Sequence, residues 1–314
     1  MKLNEPTVLK VREHVINFSK KVPNVSVMVT GDWHISPIIS ERQAEFLQEA
    51  VDAAKPDVII LQGDMVDSPA ELQRETSLEK LMHELKICSD KAPTMLVLGG
   101  HDYLTSTDPV ESLKKSSLPL WQKICKKCKV KLLMNESYEP IPGVVFYGLF
   151  QDERCTVGLD KNGRKEHDGN ADGFLEQLNE VNFKLDAKKV NWFVSHAPLL
   201  SKEVISKLSG FDILSFGHTH GGIVPRGLDE VFEALGINVG LISPKNEPLP
   251  PLSRGVKAVG DSTMLLINPG MTGAQFCAPK PLQKLNFVKA AEVSVVKFGS
   301  RDGTWTRMED SIRF

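Results

Sequence analysis

The sequence predicts an α/β fold: a sheet with several parallel strands and helices between them, followed by a second, more mixed sheet. Three observations carry that reading. Five apolar, often β-branched runs stop abruptly at Gly or Ser beside Asp or His. They are VSVMVTGDWH (25–34), DVIILQGDMVD (57–67), TMLVLGGHD (94–102), NWFVSHAP (191–198) and DILSFGHTH (212–220). Continuous apolar runs of this length mark strands buried on both faces. Helix-like stretches lie between several of them, and strands alternating with helices build parallel sheets. Finally, GVVFYGLF (143–150), TMLLINPG (263–270) and AEVSVVKFG (291–299) follow one another with less helix between them, which is the pattern of the second sheet.

Taken in order, PTVLKVREHVINF (6–18) has a weak helical period. Its β-branched content and the following KKVPN turn favour an edge strand of a hairpin. Residues 40–54 read as a helix, with Ser40 as N-cap and Phe46, Leu47, Ala50 and Val51 on one face. Residues 70–90 and 109–127 share the pattern, and 173–187 and 201–208 follow it less fully. Residues 152–172 are polar and Gly-rich and read as a loop, and 236–262 hold the Pro-rich SPKNEPLPPLSRG, a structured loop over the surface. No repeat or linker interrupts the chain. Residues 1–314 therefore read as one domain, with core motifs over about 25–220 and 221–314 completing the second sheet.

Composition excludes several classes. Hydrophobic residues make up 41% and charged residues 25%, as in a soluble globular chain. A net charge of -2 and a pI near 6.5 argue against a nucleic-acid-seeking surface. The N-terminus lacks the unbroken apolar stretch of a signal peptide, and no window approaches the roughly 20 apolar residues of a membrane span. Five cysteines are too few and too odd for a disulfide framework, which points to a reducing, cytoplasmic compartment. Cys125-x-x-Cys128 lacks a partner pair and reads as a solvated helix end, and Lys123, Lys126, Lys127, Lys129 and Lys131 as a solvated face. His14, His83 and His167 lie away from the motifs. Nothing in the sequence speaks to oligomeric state.

Open α/β sheets bind ligands at the carboxyl edge of their strands. There the five runs deliver Asp32 and His34, Asp64, His101 and Asp102, His196, then His218 and His220. Five of the eight histidines sit at these tips, a placement that core packing does not require. Carboxylate oxygen and imidazole nitrogen together suit Mn, Fe or Zn better than Mg or Ca. A carboxylate such as Asp64 can bridge two cations. Two cations roughly 3.5–4 Å apart can hold a hydroxide between them and neutralise phosphoryl oxygens. His101 could act as the acid or stabilise the transition state, with Asp102 orienting it. Gly31, Gly63, Gly99 and Gly217 allow sharp turns close to the metals. Trp33 either lines the substrate crevice or packs on the sheet edge, and Asp67 either orients a ligand or caps a helix.

Asp32-x-His34, Gly63-Asp64-x-x-Asp67, Gly99-Gly100-His101-Asp102, Ser195-His196-x-Pro198 and Gly217-His218-Thr219-His220 occur in that order. Together they resemble the calcineurin-like metallophosphoesterase superfamily. HTHGGIVP (218–225), the expected hairpin before Asp32 and SRGVKAVGDSTMLLINPGMTG (253–273) resemble more loosely its YkuE-like branch. The resemblance implies a four-layer α/β/β/α sandwich with mixed sheets, two divalent metal ions and hydrolysis of a phosphomonoester or phosphodiester. It assigns one metal to Asp32, His34, Asp64 and His220, the other to Asp64, His196 and His218, and catalysis to His101. Manganese is the first choice of metal, with iron or zinc next. One position departs from the family. Gly100 stands where the pattern has an Asn that binds the second metal and touches the substrate phosphate. The first site is therefore expected to bind tightly and the second more weakly. Two other readings share these motifs: a nuclease of the SbcD kind, disfavoured by the near-neutral charge, and an inert scaffold, supported only by Gly100.

Overall fold

In the computed structural model, residues 9–37, 42–103, 117–156, 158–159, 165–166, 170–220, 254–259, 262–272, 291–300 and 311–313 are described. The first half of the chain runs β1 (Leu9–Phe18), β2 (Val25–Thr30), α1 (Arg42–Ala54), β3 (Val58–Leu61), α2 (Glu75–Ser89), β4 (Thr94–Leu96), α3 (Gly100–Tyr103), α4 (Ser117–Lys127), β5 (Val130–Leu132), β6 (Glu136–Ile141) and β7 (Val144–Gly148). The second half continues with α5 (Glu153–Thr156), β8 (Gly158–Leu159), β9 (Lys165–Glu166), α6 (Ala171–Glu180), β10 (Val190–Val194), α7 (Lys202–Leu208), β11 (Ile213–Phe216), β12 (Gly255–Val259), β13 (Thr263–Ile267), β14 (Ala291–Ser300) and β15 (Ser311–Arg313).

Two large mixed sheets result, ordered β15-β1-β14-β2-β3-β4-β5 and β12-β13-β11-β10-β7-β6. In each, four consecutive strands are parallel: β2 to β5 in one, and β13, β11, β10 and β7 in the other. Side chains alternate across each strand, and both faces are buried. Val58 and Ile60 of β3 point into the layer between the sheets, where they meet Trp192 and Val194 of β10. Ile59 and Leu61 point the other way, onto α1, α2 and α4. On the far side Phe193 and Leu214 pack beneath α6 and α7. Burying one such aliphatic side chain stabilises the fold by roughly 1.5–3 kcal/mol, so apolar residues on both strand faces build the helix–sheet–sheet–helix layers. No helix among the described residues is long and apolar enough to cross a membrane.

Several expectations need correction. Residues 9–18 do form a strand, but not a hairpin. β14 inserts between β1 and β2, parallel to β1 and antiparallel to β2, and β15 takes the edge. The apolar residues on both faces of β14, such as Val295 and Val296, demand an interior position. The C-terminal region feeds both sheets: β12 and β13 extend the second, whereas β14 and β15 join the first. Residues 152–172 include α5 and the small β8–β9 ladder. The helix expected at 173–187 starts earlier, because the Asn170 side chain caps it by accepting from the Asp172 N–H, and it ends at Glu180. Cys125 and Cys128 are only 2% and 1% exposed, so the pair belongs to the core; the lysines beside them carry the solvated face. Residues 109–116, most of the Pro-rich passage, residues 221–225, His167 and Cys277 lie outside the described residues.

Candidate metal centre

The parallel ladder of the first sheet continues past the ends of its strands, and this sets the site. Asp32 N–H donates to the Gly63 carbonyl at 2.8 Å and His34 N–H to the Asp64 carbonyl at 2.9 Å, so the tips of β2 and β3 lie side by side. From the second sheet, Gly217 N–H donates to the His196 carbonyl at 2.8 Å, which joins the tips of β10 and β11. The sheets meet where the His218 N–H donates to both Asp32 carboxylate oxygens, at 3.2 and 3.1 Å. Close approach demands glycine here. A Cβ on Gly63, at φ +84°, would lie 2.8 Å from the Gly99 Cα, and one on Gly99 would lie 2.6 Å from the Asp64 nitrogen.

All six expected ligands come together. Asp32, His34 and His220 place ligand-capable atoms within 4.8 Å of one another, and so do Asp64, His196 and His218. A third triad, His34, Asp64 and His101, links the two. Asp64 stands between them: its Oδ2 is 3.1 Å from His196 Nε2 and 3.8 Å from His34 Nε2. Five of these residues, Asp32, His34, Asp64, His218 and His220, have left-handed backbones with φ between 46° and 68°. For residues with side chains this conformation costs on the order of 1–3 kcal/mol each, and it persists only where surrounding structure enforces it.

The ring orientations are fixed from behind. His196 Nδ1 lies 2.7 Å from the Gln62 carbonyl, His220 Nδ1 lies 3.0 Å from the Thr272 carbonyl, and His101 Nδ1 lies 2.7 Å from the Asp67 carbonyl. A carbonyl only accepts, so each Nδ1 carries the proton and Nε2 of a neutral ring turns its lone pair inward. Those lone pairs face other acceptors. Among the described residues His196 Nε2 is buried without a hydrogen-bond partner, beside the Asp64 carboxylate, and His220 Nε2 lies 3.6 Å from Asp32 Oδ1 and 3.3 Å from His34 Nε2. Acceptor against acceptor is repulsive unless positive charge lies between. The mixed oxygen and nitrogen donor set fits a divalent transition metal.

The electrostatics agree. Burial alone would drive His196 neutral, yet Asp64 and Asp32 raise it to about 10, so without a cation a proton would sit between its Nε2 and Asp64, and a bound cation would supply that positive charge instead. Burial would raise Asp64, but His196, His101 and His34 hold it well below the usual carboxylate range. Burial, reinforced by His196, lowers His218 to about 3, which leaves it a neutral ligand-ready ring. Desolvation opposes charge on His101, but Asp64, the Asp67 carbonyl and the Asp67 carboxylate outweigh it and raise its pKa.

Two expected site residues play other parts. Trp33 is 0% exposed and lies in the core under α1, with its indole N–H on Thr30 Oγ1, so it does not line a crevice. Asp102 does not orient the His101 ring. Its carboxylate accepts from the backbone N–H groups of Met65, Val66 and Gly99, at 2.8, 3.2 and 2.8 Å, and so staples the loop after β3 to the loop after β4. Burial and the Asp64 charge push its carboxyl up to about 7, against those donors. The orienting group for His101 belongs to Asp67, through its carbonyl. Gly100 opens α3 at the edge of the cluster, and His101 beside it is exposed.

Sequence reasoning missed a sixth tip, after β13. Asn268 accepts from the Gly270 N–H and donates to the Val29 carbonyl, Gly270 at φ +78° would put a Cβ 2.9 Å from Asp32 Oδ2, and Thr272 supplies the carbonyl behind His220. TMLLINPG shows the same abrupt end to an apolar run as the other five, and that signal could have revealed it.

Two sheets in four layers, with imidazoles and carboxylates gathered at their strand tips, define a metal-dependent hydrolase. Residues 25–222 match the calcineurin-like phosphoesterase family, and the chain belongs to that family of metal-dependent phosphoester hydrolases. It is 25% identical over 222 residues to an uncharacterized metallophosphoesterase of Aquifex aeolicus, covering 70% of this chain and 73% of that one. It is 21% identical over 274 residues to a transmembrane protein with metallophosphoesterase domain from Bos taurus, covering 84% of this chain and 52% of that protein, so it spans about half of the latter's length. A dimetal phosphatase structure from Danio rerio aligns with a TM-score of 0.45 at 16% identity, over 79% of this chain and 88% of that one.

Proposed function

We propose that the chain, acting as a single domain, hydrolyses a phosphodiester or phosphomonoester with two divalent cations, manganese first and iron or zinc next. One observation carries this reading: Asp64 stands between two ligand-capable triads whose inward atoms are acceptors facing acceptors. Asp32, His34, Asp64 and His220 would hold one cation, and Asp64, His196 and His218 the other. When bound, the pair would lower the pKa of the attacking water and neutralise the phosphoryl oxygens. The protein's own groups do the rest. The Gln62 and Thr272 carbonyls keep Nε2 of His196 and His220 turned inward. His101, exposed with its Nδ1–H on the Asp67 carbonyl, offers Nε2 to the leaving oxygen as the general acid. Gly100, without a side chain, leaves room beside the second triad for a phosphoryl oxygen. The buried thiols of Cys88, Cys125 and Cys128 support a reducing compartment, the cytoplasm.

The test is hydrolysis of bis-p-nitrophenyl phosphate and p-nitrophenyl phosphate with Mn²⁺, Fe²⁺ or Zn²⁺. At least one ester should be cleaved, and His101→Ala should lower kcat by about 10²–10⁴-fold with metal content unchanged. Equal rates in the two proteins would remove His101 from catalysis, and inertness on both esters with all three metals would overturn the reading.

A further inference from the structure

Gln151 lies just beyond β7 and is 4% exposed. The ladder between β7 and β10 runs out at Leu149, whose N–H donates to the Val194 carbonyl at 2.9 Å and whose carbonyl accepts from Ser195 Oγ at 3.0 Å. Beyond that point the Gln151 side chain continues it. Its Oε1 accepts from the Ala197 N–H at 2.7 Å, and its Nε2 donates to the Ala197 carbonyl at 2.7 Å. A side-chain amide thus takes the place of a backbone peptide opposite the residue that follows His196. Its own carbonyl accepts the Tyr103 hydroxyl. Tyr103 closes α3, the helix that carries His101, and its ring packs on Phe150 at 4.8 Å. A single residue therefore ties the His101 segment of the first sheet to the His196 loop of the second.

We infer that Gln151 is the positioning residue for the Asp64–His196–His218 half of the centre, an inference that rests on the two-cation reading above. That half has only three side chains, because Gly100 contributes none, so its affinity depends on holding each of them in place. His34 and Asp32 are set by the backbone pairing of the β2 tip with the β3 tip, to which the Gln151 side chain makes no hydrogen bond among the described residues. His196 has its ring held by Gln62 and its carbonyl by Gly217, while the far side of its loop hangs on the Gln151 amide. Removing that amide loosens one half of the centre and leaves the other intact. A buried glutamine that served only stability would instead weaken both halves, or neither.

The experiment is Mn²⁺ titration of the full chain by calorimetry and equilibrium dialysis. Gln151→Met keeps the volume and deletes both hydrogen bonds. The first Mn²⁺ should bind as in the wild type and the second about 10- to 100-fold more weakly, the usual effect of losing a group that orients a ligand. Gln177→Met is the control. Gln177 is equally buried and bonds the Phe150 carbonyl and the Cys155 thiol, with no hydrogen bond to Ala197 among the described residues, so it should lose thermal stability but keep second-site affinity. If Gln151→Met does not fold, Gln151→Glu, which keeps the acceptor for Ala197, should show a smaller loss confined to the second site. An unchanged second affinity in the folded Gln151 variant, equal weakening at both sites, or the same loss in Gln177→Met would each overturn the inference. A wild type that takes up only one Mn²⁺ would overturn the two-cation reading itself, and this inference with it.

Discussion

Replacing Glu84 with glutamine probes how dry the layer between α2 and the first sheet is. Glu84 is 0% exposed, and among the described residues neither carboxylate oxygen has a hydrogen-bond partner. Burial pushes its carboxyl from 4.5 up to about 8, with Lys80 one helical turn away pulling the other way. The folded protein keeps a proton that the unfolded chain releases above about pH 4.5, so stability falls as pH rises from there to about 8, then levels off. At about 1.4 kcal/mol per unit, Glu84 costs about 3 kcal/mol at pH 7 and about 5 kcal/mol above pH 8. Glu84→Gln removes the titration and keeps the shape. Its advantage over the wild type should be near zero at pH 4, grow steadily above about pH 4.5, and reach about 3 kcal/mol at pH 7 by urea denaturation. Comparing the two proteins at each pH cancels the titration of the metal-centre histidines, which both share. A difference that stays flat from pH 5 to pH 8.5 would refute the reasoning and show that Glu84 is solvated or paired.

Gly99→Ala should abolish hydrolysis and weaken the second Mn²⁺ by more than about 100-fold with circular dichroism retained, because its Cβ would sit 2.8 Å from His196 Cε1 and 2.6 Å from the Asp64 nitrogen; retained activity would refute the claimed crowding. Gly100→Asn should tighten the second Mn²⁺ by about tenfold, since Gly100 lies in a helical turn that asparagine can adopt. Unchanged affinity by calorimetry would show that the gap is not at the metal. Stripping cations with EDTA should lower the melting temperature: a native-state ligand at 100 times its Kd contributes about 2.7 kcal/mol, and two contribute more. Identical melting curves with EDTA and with added Mn²⁺ would mean that the cluster binds no cation.

The central strands were legible because burial on both faces leaves an unbroken apolar run, and such runs need no knowledge of their neighbours. β2, β3, β4 and β11 fall inside the segments named from sequence, and β10 begins one residue before its segment. What the sequence did not show was adjacency. AEVSVVKFG reads plainly as a strand, but nothing local says that it slots between β1 and β2, more than 250 residues earlier in the chain. A hairpin is the default because strands close in sequence are usually neighbours in space. Here the default fails, since β14 needs burial on both faces and the β1–β2 gap supplies it.

The site divides along a similar line. Metal ligands must be particular side chains, so Asp32, His34, Asp64, His196, His218 and His220 announce themselves. The groups that aim those side chains are mostly backbone carbonyls, of Gln62, Asp67 and Thr272, and a carbonyl leaves no mark on residue identity. Asp102 was misread for a geometric reason. Adjacent residues at a helix start point about 100° apart, so a carboxylate next to His101 in sequence cannot also face its ring. It turns inward to three backbone N–H groups while His101 turns outward to solvent. Trp33 turns away for a different local reason: at the non-helical tip of β2 its two neighbours Asp32 and His34 face the cluster, which leaves the indole to the core. Each left-handed ligand is held by a donor or acceptor on a different tip, so no single loop could maintain the centre alone, and its geometry depends on the two sheets staying in register.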